Sequence, residues 1–243
     1  MSLRVLKNSA AIALGFALLV PTFGAAPAPA RQEAPAGEIR KVDDAVRVLD
    51  EMMREADKSI PRELLENAAG IAIIPDVIKA AYIVGGRHGK GVLLVRGAGG
   101  RWSNPAFISL TGGSFGWQLG VESADIILVF RTPRSVENIT RGKFTLGADA
   151  GVAAGPLGRS AEASTDAALK AEILAYSKSR GLYAGLSIQG ASLSIDDKAD
   201  QSFYGIQKIT PDEIFAGKTR QVPESAAKLR SALEKFSKPV KTP

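Results

Sequence analysis

The chain has 243 residues, a formal net charge of +6 and no cysteine. A hydrophobic content of 45% is enough to build a core, which excludes a chain that is disordered throughout. The absence of cysteine excludes a disulfide framework, a thiolate metal site and a lipidated N-terminal cysteine. The length suits one domain of ordinary size with short appendages.

The first thirty residues have the pattern of a secretory signal peptide. Arg4 and Lys7 supply a positive start, residues 10–20 are apolar but too few to span a bilayer, and residues 28–30 fit the small-residue cleavage pattern. We therefore expect a mature chain that begins at Arg31, with an uncleaved membrane anchor as the alternative. Export without disulfides predicts a periplasmic protein of a Gram-negative envelope, either free or peripheral to a membrane.

Residues 31–37 form a Pro/Ala-rich linker, and an amphipathic helix is predicted from Glu38 to Asp57. Its apolar residues recur at spacings of three and four, and its polar face carries seven acidic and four basic side chains. That sign of charge disfavours docking on an anionic membrane, so the helix is expected to pack on the core. A second short helix ends at Gly70, and a strand from Ile71 to Ile74 is stopped by Pro75.

From Ala80 onwards, short apolar runs alternate with glycine-rich turns, which indicates an antiparallel meander. The predicted strands are Ala80–Val84, Gly91–Arg96, Ala106–Leu110, Ser114–Val121, Ala124–Arg131, Lys143–Ala154, Glu172–Ser177, Leu182–Gln189 and Ser192–Ile195. Helices are predicted at Pro133–Ile139, Asp196–Phe203, Pro211–Phe215 and Pro223–Phe236. The pattern predicts an α+β fold, in which a glycine-rich antiparallel sheet is curled into a β sandwich or barrel with helices at the N- and C-terminal ends.

The stretch from Trp102 to Val121 contains both tryptophans and no acidic residue. Two apolar runs, Ala106–Leu110 and Ser114–Val121, flank Thr111-Gly112-Gly113, which predicts two paired strands joined by a tight turn. Glycine inside a strand often marks the close approach of another backbone or of a ligand. We therefore expect this strand pair to hold something close against it, either protein or ligand.

Residues 112–116 match the G-x-S-x-G pattern of serine hydrolases. That site needs a strand, a sharp turn and a helix, whereas Ser114–Val121 alternates like a strand. It also needs a histidine base, normally after the serine, and the one histidine of the chain, His88, comes before it. The chain is therefore predicted not to be an enzyme and to use no cofactor. No metal site is expected either, since an acidic cluster without a calcium loop more simply caps a helix: Asp196, Asp197 and Asp200.

Basic residues are concentrated in two parts of the chain. From Val77 to Val121 there is no acidic residue, and from Lys218 to the C-terminus basic residues outnumber acidic ones. Localised positive charge indicates phospholipid, lipopolysaccharide phosphate or nucleic acid as a partner, the last disfavoured by the export signal. The loop Gly85–Gly91 places three cationic side chains among backbone N–H groups, which suits a phosphate headgroup, with a solvated basic hairpin as the alternative.

Six segments, in order along residues 60–205, resemble the SYLF-domain family. They begin at Ala68 (AAGIAIIPDVIKAAYIVGGRHGKGVLLVR), Trp102 (WSNPAFISLTGGSFGWQLG), Ala124 (ADIILVF), Thr145 (TLGADAGVAAGPLGR), Tyr176 (YSKSRGLYAGLSIQGASL) and Phe203 (FYG). The resemblance implies a non-enzymatic module that binds membrane lipid. For eukaryotic relatives it implies phosphoinositides as the lipids and, in some, actin filaments as a partner. This chain departs from them at its N-terminus, where a net-acidic helix stands in place of a basic amphipathic segment.

We therefore expect an exported lipid-binding module of the cell envelope that binds anionic phospholipid, or a membrane surface, through a basic face. The residues predicted to bind the lipid are Arg87, Lys90, Arg96 and Arg101, with Trp102 and Trp117 at the interface. The alternative is a protein-interaction or structural envelope module without a lipid ligand. An envelope protein is then the partner, while neither nucleic acid nor actin is expected. The expected divisions are a signal peptide (1–30), a linker (31–37), a SYLF-like lipid-binding domain (38–217) and a basic C-terminal helix and tail (218–243).

Overall fold

The computed structural model of the chain describes residues 35–55, 57, 59–82, 84–115, 120–158, 170–179, 182–183 and 188–238. The helices in these residues are α1 (Ala36–Met53), α2 (Arg62–Glu66), α3 (Pro133–Thr140), α4 (Asp197–Tyr204), α5 (Pro211–Phe215) and α6 (Glu224–Phe236). The strands are β1 (Gly70–Tyr82), β2 (Val84–Val95), β3 (Ala106–Phe115), β4 (Gly120–Phe130), β5 (Phe144–Thr145), β6 (Val152–Ala154), β7 (Ile173–Ser179), β8 (Leu182–Tyr183) and β9 (Ser192–Ile195). Among these helices, none is long and apolar enough to cross a membrane.

All of these strands belong to one curled sheet. Its order is β5-β9-β3-β2-β1-β4-β7-β6, and β8 pairs with β7. Neighbouring strands are antiparallel except for β6 and β7, which run parallel. The predicted α+β fold, with a curled glycine-rich sheet and helices towards both ends of the chain, is confirmed.

Hydrophobic residues are buried on both faces of the sheet. On one face, which we call the α1 face, Ile71 and Ile73 of β1 pack in a cluster with α1, α2, α4, α5 and α6. On the other face, the α3 face, Ala72 and Ile74 pack in a second cluster with α3 and the β5 segment. This assignment follows from the two-residue period of a strand, so the parity of a residue number fixes its face within a regular stretch.

The helices pack as their sequences predict, although α1 ends at Met53 rather than Asp57 and α2 ends at Glu66 rather than at Gly70. In α1, Val42, Leu49 and Met52 are buried, which confirms that this helix packs on the core. The side chain of Asp196 accepts the N–H of Ala199 at the start of α4, which confirms that the acidic cluster caps a helix. Helix α6 contributes Ala226, Leu229 and Leu233 to the same cluster as α1, and these three side chains are fully buried.

Strand β1 does not stop at Pro75 but continues to Tyr82. The register of β1 shifts between Ile73 and Ile78 against β2 and between Ile74 and Val77 against β4, which is a β-bulge. Asp76 adopts a positive φ of 52° there, and its N–H donates to Oδ1 of Asp125 at 3.0 Å. A bulge tolerates proline because it interrupts the ladder, so the proline that predicted an end marks a kink instead.

Thr111-Gly112-Gly113 is not a turn. These residues lie inside β3, which runs unbroken from Ala106 to Phe115, and β3 pairs with β2 and β9 rather than with β4. Gly112 allows close packing, as expected for a glycine inside a strand, but the atoms packed against it belong to this chain. A Cβ added at Gly112 would lie 3.1 Å from Cα of Ala191 and 3.3 Å from Cγ of Arg87. The continuous strand also removes the strand–turn–helix geometry that a hydrolase site at Ser114 would need.

Candidate functional site

The sheet extends past the end of α1, and we call the part beyond Asp125 the distal end. Asp125 marks the limit because its strand partner, Lys178, donates to the carbonyl oxygen of Glu51, near the end of α1, at 3.4 Å. Beyond it, two rows of residues cross four adjacent strands in register. One row comprises Ser123, Ile78, His88 and Thr111, and the next comprises Glu122, Lys79, Arg87 and Gly112.

The first row lies on the α1 face and is open to solvent. Val77 is buried in the cluster of the α3 face, so Ile78 lies on the opposite face. Its side chain is 51% exposed, and among the described residues Val222, at 40%, is the other large hydrophobic residue that is exposed. Helix α1 does not cover this row, which leaves an apolar side chain in water beside His88.

The second row lies on the α3 face and borders a small cavity. Lys79 and Arg87 face each other across β1 and β2, and Nζ of Lys79 lies 3.9 Å from Oε2 of Glu122. The cavity has a volume of about 120 Å³. Its lining residues come from β1, β2, β4 and β7: Val77, Lys79, Arg87, Glu122, Ala124, Ser177 and Ser179.

A partly buried cation and a buried hydroxyl border this cavity. Burial lowers the pKa of Arg87, although an arginine stays protonated. Ser177 is 8% exposed, and its Oγ has no hydrogen-bond partner among the described residues. By contrast, Oγ of Ser179 donates to the carbonyl oxygen of Ser123 at 2.9 Å. The cavity therefore combines two cations with one hydroxyl that is available to a ligand.

Lys90 lies elsewhere and is engaged in an ion pair. Its Nζ is 2.8 Å from Oδ2 of Asp196, the residue that caps α4. Burial raises the pKa of Asp196, but hydrogen bonds from Lys90 and from the N–H of Ala199 outweigh this and leave the pKa below its usual value. Lys90 is thus tied to the helical layer and lies on the face opposite Arg87.

Arg96 is held by the fold itself. Its guanidinium donates to the carbonyl oxygens of Leu65 at 2.6 Å, Ala68 at 3.0 Å and Gly100 at 2.6 Å. It also lies 4.3 Å from the centroid of the Trp102 ring. Burial lowers the pKa of Arg96, and Glu66 opposes this effect. These bonds tie the end of α2 to the β2–β3 loop, which is a structural role.

Trp102 lies in the core, because α6 covers it. It is 3% exposed, and its Nε1 donates to Oγ of Ser237 at 3.0 Å. This corrects the expectation of an indole at a membrane interface. Arg101, next to it, is exposed in the loop between β2 and β3. Trp117 falls outside the described residues.

The structure therefore does not bring the five described residues of the six onto one face. Of these five, Arg87 lines the cavity, and lipid contact by any of the six stays a prediction. Lys79 is not among the six predicted residues, although Lys79 and Arg87 are each four residues from residue 83 and would pair in a hairpin centred there. No sequence signal could have found Ser177, because it arrives from β7, which is distant in the chain.

A larger groove lies at the other end of β1 and β2. Its volume is about 480 Å³, and α3, α5 and the β2–β3 loop form its walls. Arg96 and Arg131 line it together with Glu137 and Asp212, so its charges are mixed. Among the described residues, no group of three or more histidine or acidic side chains is placed to hold a metal ion.

Comparison with known proteins assigns the chain to a family. Residues 111–236 match the family model described as "Ysc84: Las17-binding protein actin regulator". The chain belongs to the Ysc84 family. This confirms the resemblance to the SYLF domain, which is the same family, and the family is one of binding and regulatory modules rather than enzymes.

Three curated relatives that carry this family's name or function in their own names are eukaryotic proteins. "LAS seventeen-binding protein 3" of Saccharomyces cerevisiae is 39% identical over 171 residues, which is 69% of this chain and 37% of the yeast protein. "SH3 domain-containing YSC84-like protein 1" of Xenopus laevis is 37% identical over 182 residues, which is 74% of this chain and 54% of the frog protein. The human protein of that name is 36% identical over 182 residues and is covered to 52%. This chain thus spans between about a third and about half of the length of these relatives.

These names correct one expectation about partners. Actin was not expected, because the first thirty residues predict export. The family description instead names actin regulation, and the yeast relative is named for binding Las17.

Proposed function

We propose that this Ysc84-family domain is a non-enzymatic module that binds an anionic membrane surface end-on, through the distal end of its sheet. The observation that carries the proposal is that uncharged, apolar residues occupy the strand ends there, with the first charged residues behind them. β1 and β3 run in the same direction and finish at Tyr82 and Phe115. No charged residue occurs in residues 80–84 or 114–121, and both segments are rich in apolar and aromatic residues.

The first charges behind these strand ends are Lys79, Arg87 and Glu122. Lys79 precedes Tyr82 by three residues, which corresponds to about 10 Å at roughly 3.3 Å per residue. Interfacial elements bury their apolar parts by roughly 5–10 Å at the boundary of headgroups and acyl chains. If the uncharged strand ends enter that boundary, Lys79 and Arg87 lie at the level of the lipid phosphates. Each cation near an anionic surface contributes about 1 kcal/mol.

The exposure of Ile78 supports the same orientation. An apolar side chain that is half exposed loses contact with water when a membrane covers it, at about 25 cal/mol per Å². Ile78 adjoins Lys79 in β1, so one approach of the distal end engages the apolar and the cationic side chains together. The exposed apolar side chain thus has a use in a membrane complex that it lacks in the free protein.

Tryptophan emission tests the proposal, because the chain has two tryptophans and Trp102 is buried against α6. Vesicles of phosphatidylcholine with phosphatidylglycerol should shift the emission of the full chain to shorter wavelength. Trp102→Phe should keep that shift and Trp117→Phe should abolish it, since residue 117 follows the last residue of β3 in the sequence by two positions. A shift that follows Trp102 would refute end-on binding.

Co-sedimentation with the same vesicles gives a second test. Binding should weaken in high salt and on neutral phosphatidylcholine vesicles. Ile78→Ser should weaken binding about fivefold, which corresponds to about 1 kcal/mol for a half-exposed side chain. Val222→Ser is the matched control, because Val222 is similarly exposed but lies just before α6. Equal binding to neutral and anionic vesicles would contradict the electrostatic part of the proposal.

A second candidate function is binding to a protein of the actin machinery, which the names of the relatives favour. The mixed charges and apolar walls of the larger groove suit a protein segment better than a lipid phosphate. Co-sedimentation with actin filaments, and capture by immobilised Las17, would test it. Binding that is lost on Phe215→Asp in the groove wall but kept in Ile78→Ser would support this candidate, and the reverse pattern would contradict it.

A further inference from the structure

We propose that the cavity bordered by Lys79, Arg87 and Ser177 is a binding site for a phosphate group. The inference rests on the proposed function for the source of that phosphate, a membrane lipid headgroup, while the cavity itself is argued from its own residues. The ligand class is a phosphate ester, and free phosphate shares the same chemistry.

The charges at the cavity favour an anion. Lys79 and Arg87 are directly opposite each other on neighbouring strands, where like charges repel. Both side chains are partly buried, which strengthens the repulsion. The described side chains that line the cavity include one carboxylate, that of Glu122, which is 62% exposed and 3.9 Å from Lys79. An anion placed between the two cations would relieve the repulsion between them.

The hydroxyl of Ser177 supplies a hydrogen-bond donor for that anion. A side-chain oxygen that is buried without a partner costs about 1–3 kcal/mol. Ser177 is more than nine-tenths buried, and its Oγ lacks a partner among the described residues. It lies on the α3 face of β7 and lines the cavity. A phosphate oxygen in the cavity would accept the Ser177 hydroxyl proton in a hydrogen bond, as well as charge-assisted bonds from Lys79 and Arg87.

The cavity also has the size and the lining that a phosphate ester needs. The cavity volume of about 120 Å³ far exceeds that needed for one water, for which about 10–15 Å³ suffices. Gly112 sits opposite Arg87 and lacks the Cβ that would press on the arginine stem at 3.3 Å. Val77 and Ala124 give the remaining wall an apolar surface. The site thus offers two cations and a hydroxyl for the phosphate and an apolar wall for the rest of an ester.

Calorimetric titration with inorganic phosphate tests the cavity without any membrane. The full chain should bind phosphate, and Arg87→Gln should weaken that binding at least tenfold. Ser177→Ala should also weaken it, whereas Glu122→Gln should strengthen it by removing a competing carboxylate. Lys90→Gln is the matched control, because Lys90 lies on the other face in an ion pair with Asp196. No phosphate binding, or equal binding by Arg87→Gln, would overturn the site.

Co-sedimentation of the same variants with phosphatidylglycerol vesicles identifies the source of the phosphate. A lipid phosphate is supported if Arg87→Gln loses more vesicle binding than Lys90→Gln. Phosphate binding with unchanged vesicle binding in Arg87→Gln would overturn the lipid source in favour of a soluble phosphate. If phosphate does not bind while vesicles still shift the emission of Trp117, the phosphate site is refuted and the proposed function stands. If no vesicles bind at all, the proposed function fails, and the titration alone decides the site.

Discussion

Asp200 is a buried acid whose ionisation should make stability depend on pH. It lies fully buried in α4, and its Oδ1 accepts the N–H of Phe107 at 2.8 Å. Its Oδ2 has no hydrogen-bond partner among the described residues. Burial, with repulsion from Asp197 and Asp196, raises the pKa of Asp200 from 3.8 to about 8, against the hydrogen bond from Phe107. The folded protein therefore holds a proton that the unfolded chain releases at neutral pH.

The sign of the effect follows from this raised pKa. The protonated carboxyl stabilises the folded state fully below pH 3.8, and that contribution is lost as the pH rises to about 8. At about 1.36 kcal/mol per pH unit, a shift from 3.8 to about 8 sets an upper bound of about 6 kcal/mol. Other carboxylates act in the opposite direction, since hydrogen bonds lower the pKa of Glu213, for example. The effect of Asp200 must therefore be isolated by comparison with a variant.

Urea unfolding of the wild type and Asp200→Asn, at several values between pH 4 and pH 9, makes that comparison. The amide oxygen can still accept the Phe107 N–H, but the side chain no longer ionises. The free energy of unfolding of the wild type should fall relative to that of Asp200→Asn by several kcal/mol between pH 4 and pH 8. Asp50→Asn, at an exposed position of α1, is the control and should follow the wild type. Parallel curves for the wild type and Asp200→Asn would refute the reasoning.

Three further predictions concern the scaffold and the N-terminus. In Arg96→Lys the new side chain cannot keep the three carbonyl partners and the contact with the indole ring. Chemical denaturation should therefore show a free energy of unfolding lower by about 2–4 kcal/mol, whereas the control Arg101→Lys should unfold like the wild type. Gly91→Ala would place a Cβ within 2.7 Å of backbone atoms of β1 at its bulge, so it should lower the free energy of unfolding by more than about 3 kcal/mol or prevent folding. In the control Gly97→Ala the new Cβ has room, and this variant should fold normally. N-terminal sequencing after expression in a Gram-negative host should find Arg31 first and the protein in the periplasmic fraction, and an intact Met1 would contradict the signal peptide.

The elements that are set by local pattern could be predicted from the sequence. The spacing of apolar residues gave α1 and α6, and Thr132 and Thr210 mark the starts of α3 and α5 through side-chain caps. Where prediction failed, residues distant in the chain decide the structure. Pro75 is accommodated because the N–H of Asp76 finds the carboxylate of Asp125 on β4. A pattern that is local in sequence cannot reveal that partner.

The candidate site was predicted less well, for a geometric reason. A count of charges along β2 treats Arg87, Lys90 and Arg96 as one basic surface. In a strand, odd and even positions lie on opposite faces, and Lys90 and Arg96 are further held by partners from α4 and α2. Parity alone would have separated Arg87 from the other two. Ser177 comes from a strand whose neighbour in the sheet is known only once the fold is known.

The two proposed binding sites, the cavity and the larger groove, lie at opposite ends of the same strands. Arg87 borders the cavity at the distal end, and Val95 lines the larger groove eight residues further along β2. At roughly 3.3 Å per residue, the two sites are about 26 Å apart. This separation exceeds the Debye length of about 8 Å at physiological ionic strength, so a charge change at one site should have little electrostatic effect on the other. A domain held to a membrane at its distal end would therefore leave the groove open to a protein. Lipid binding and the partners named for its relatives are in that case compatible, and single substitutions at either end can separate them.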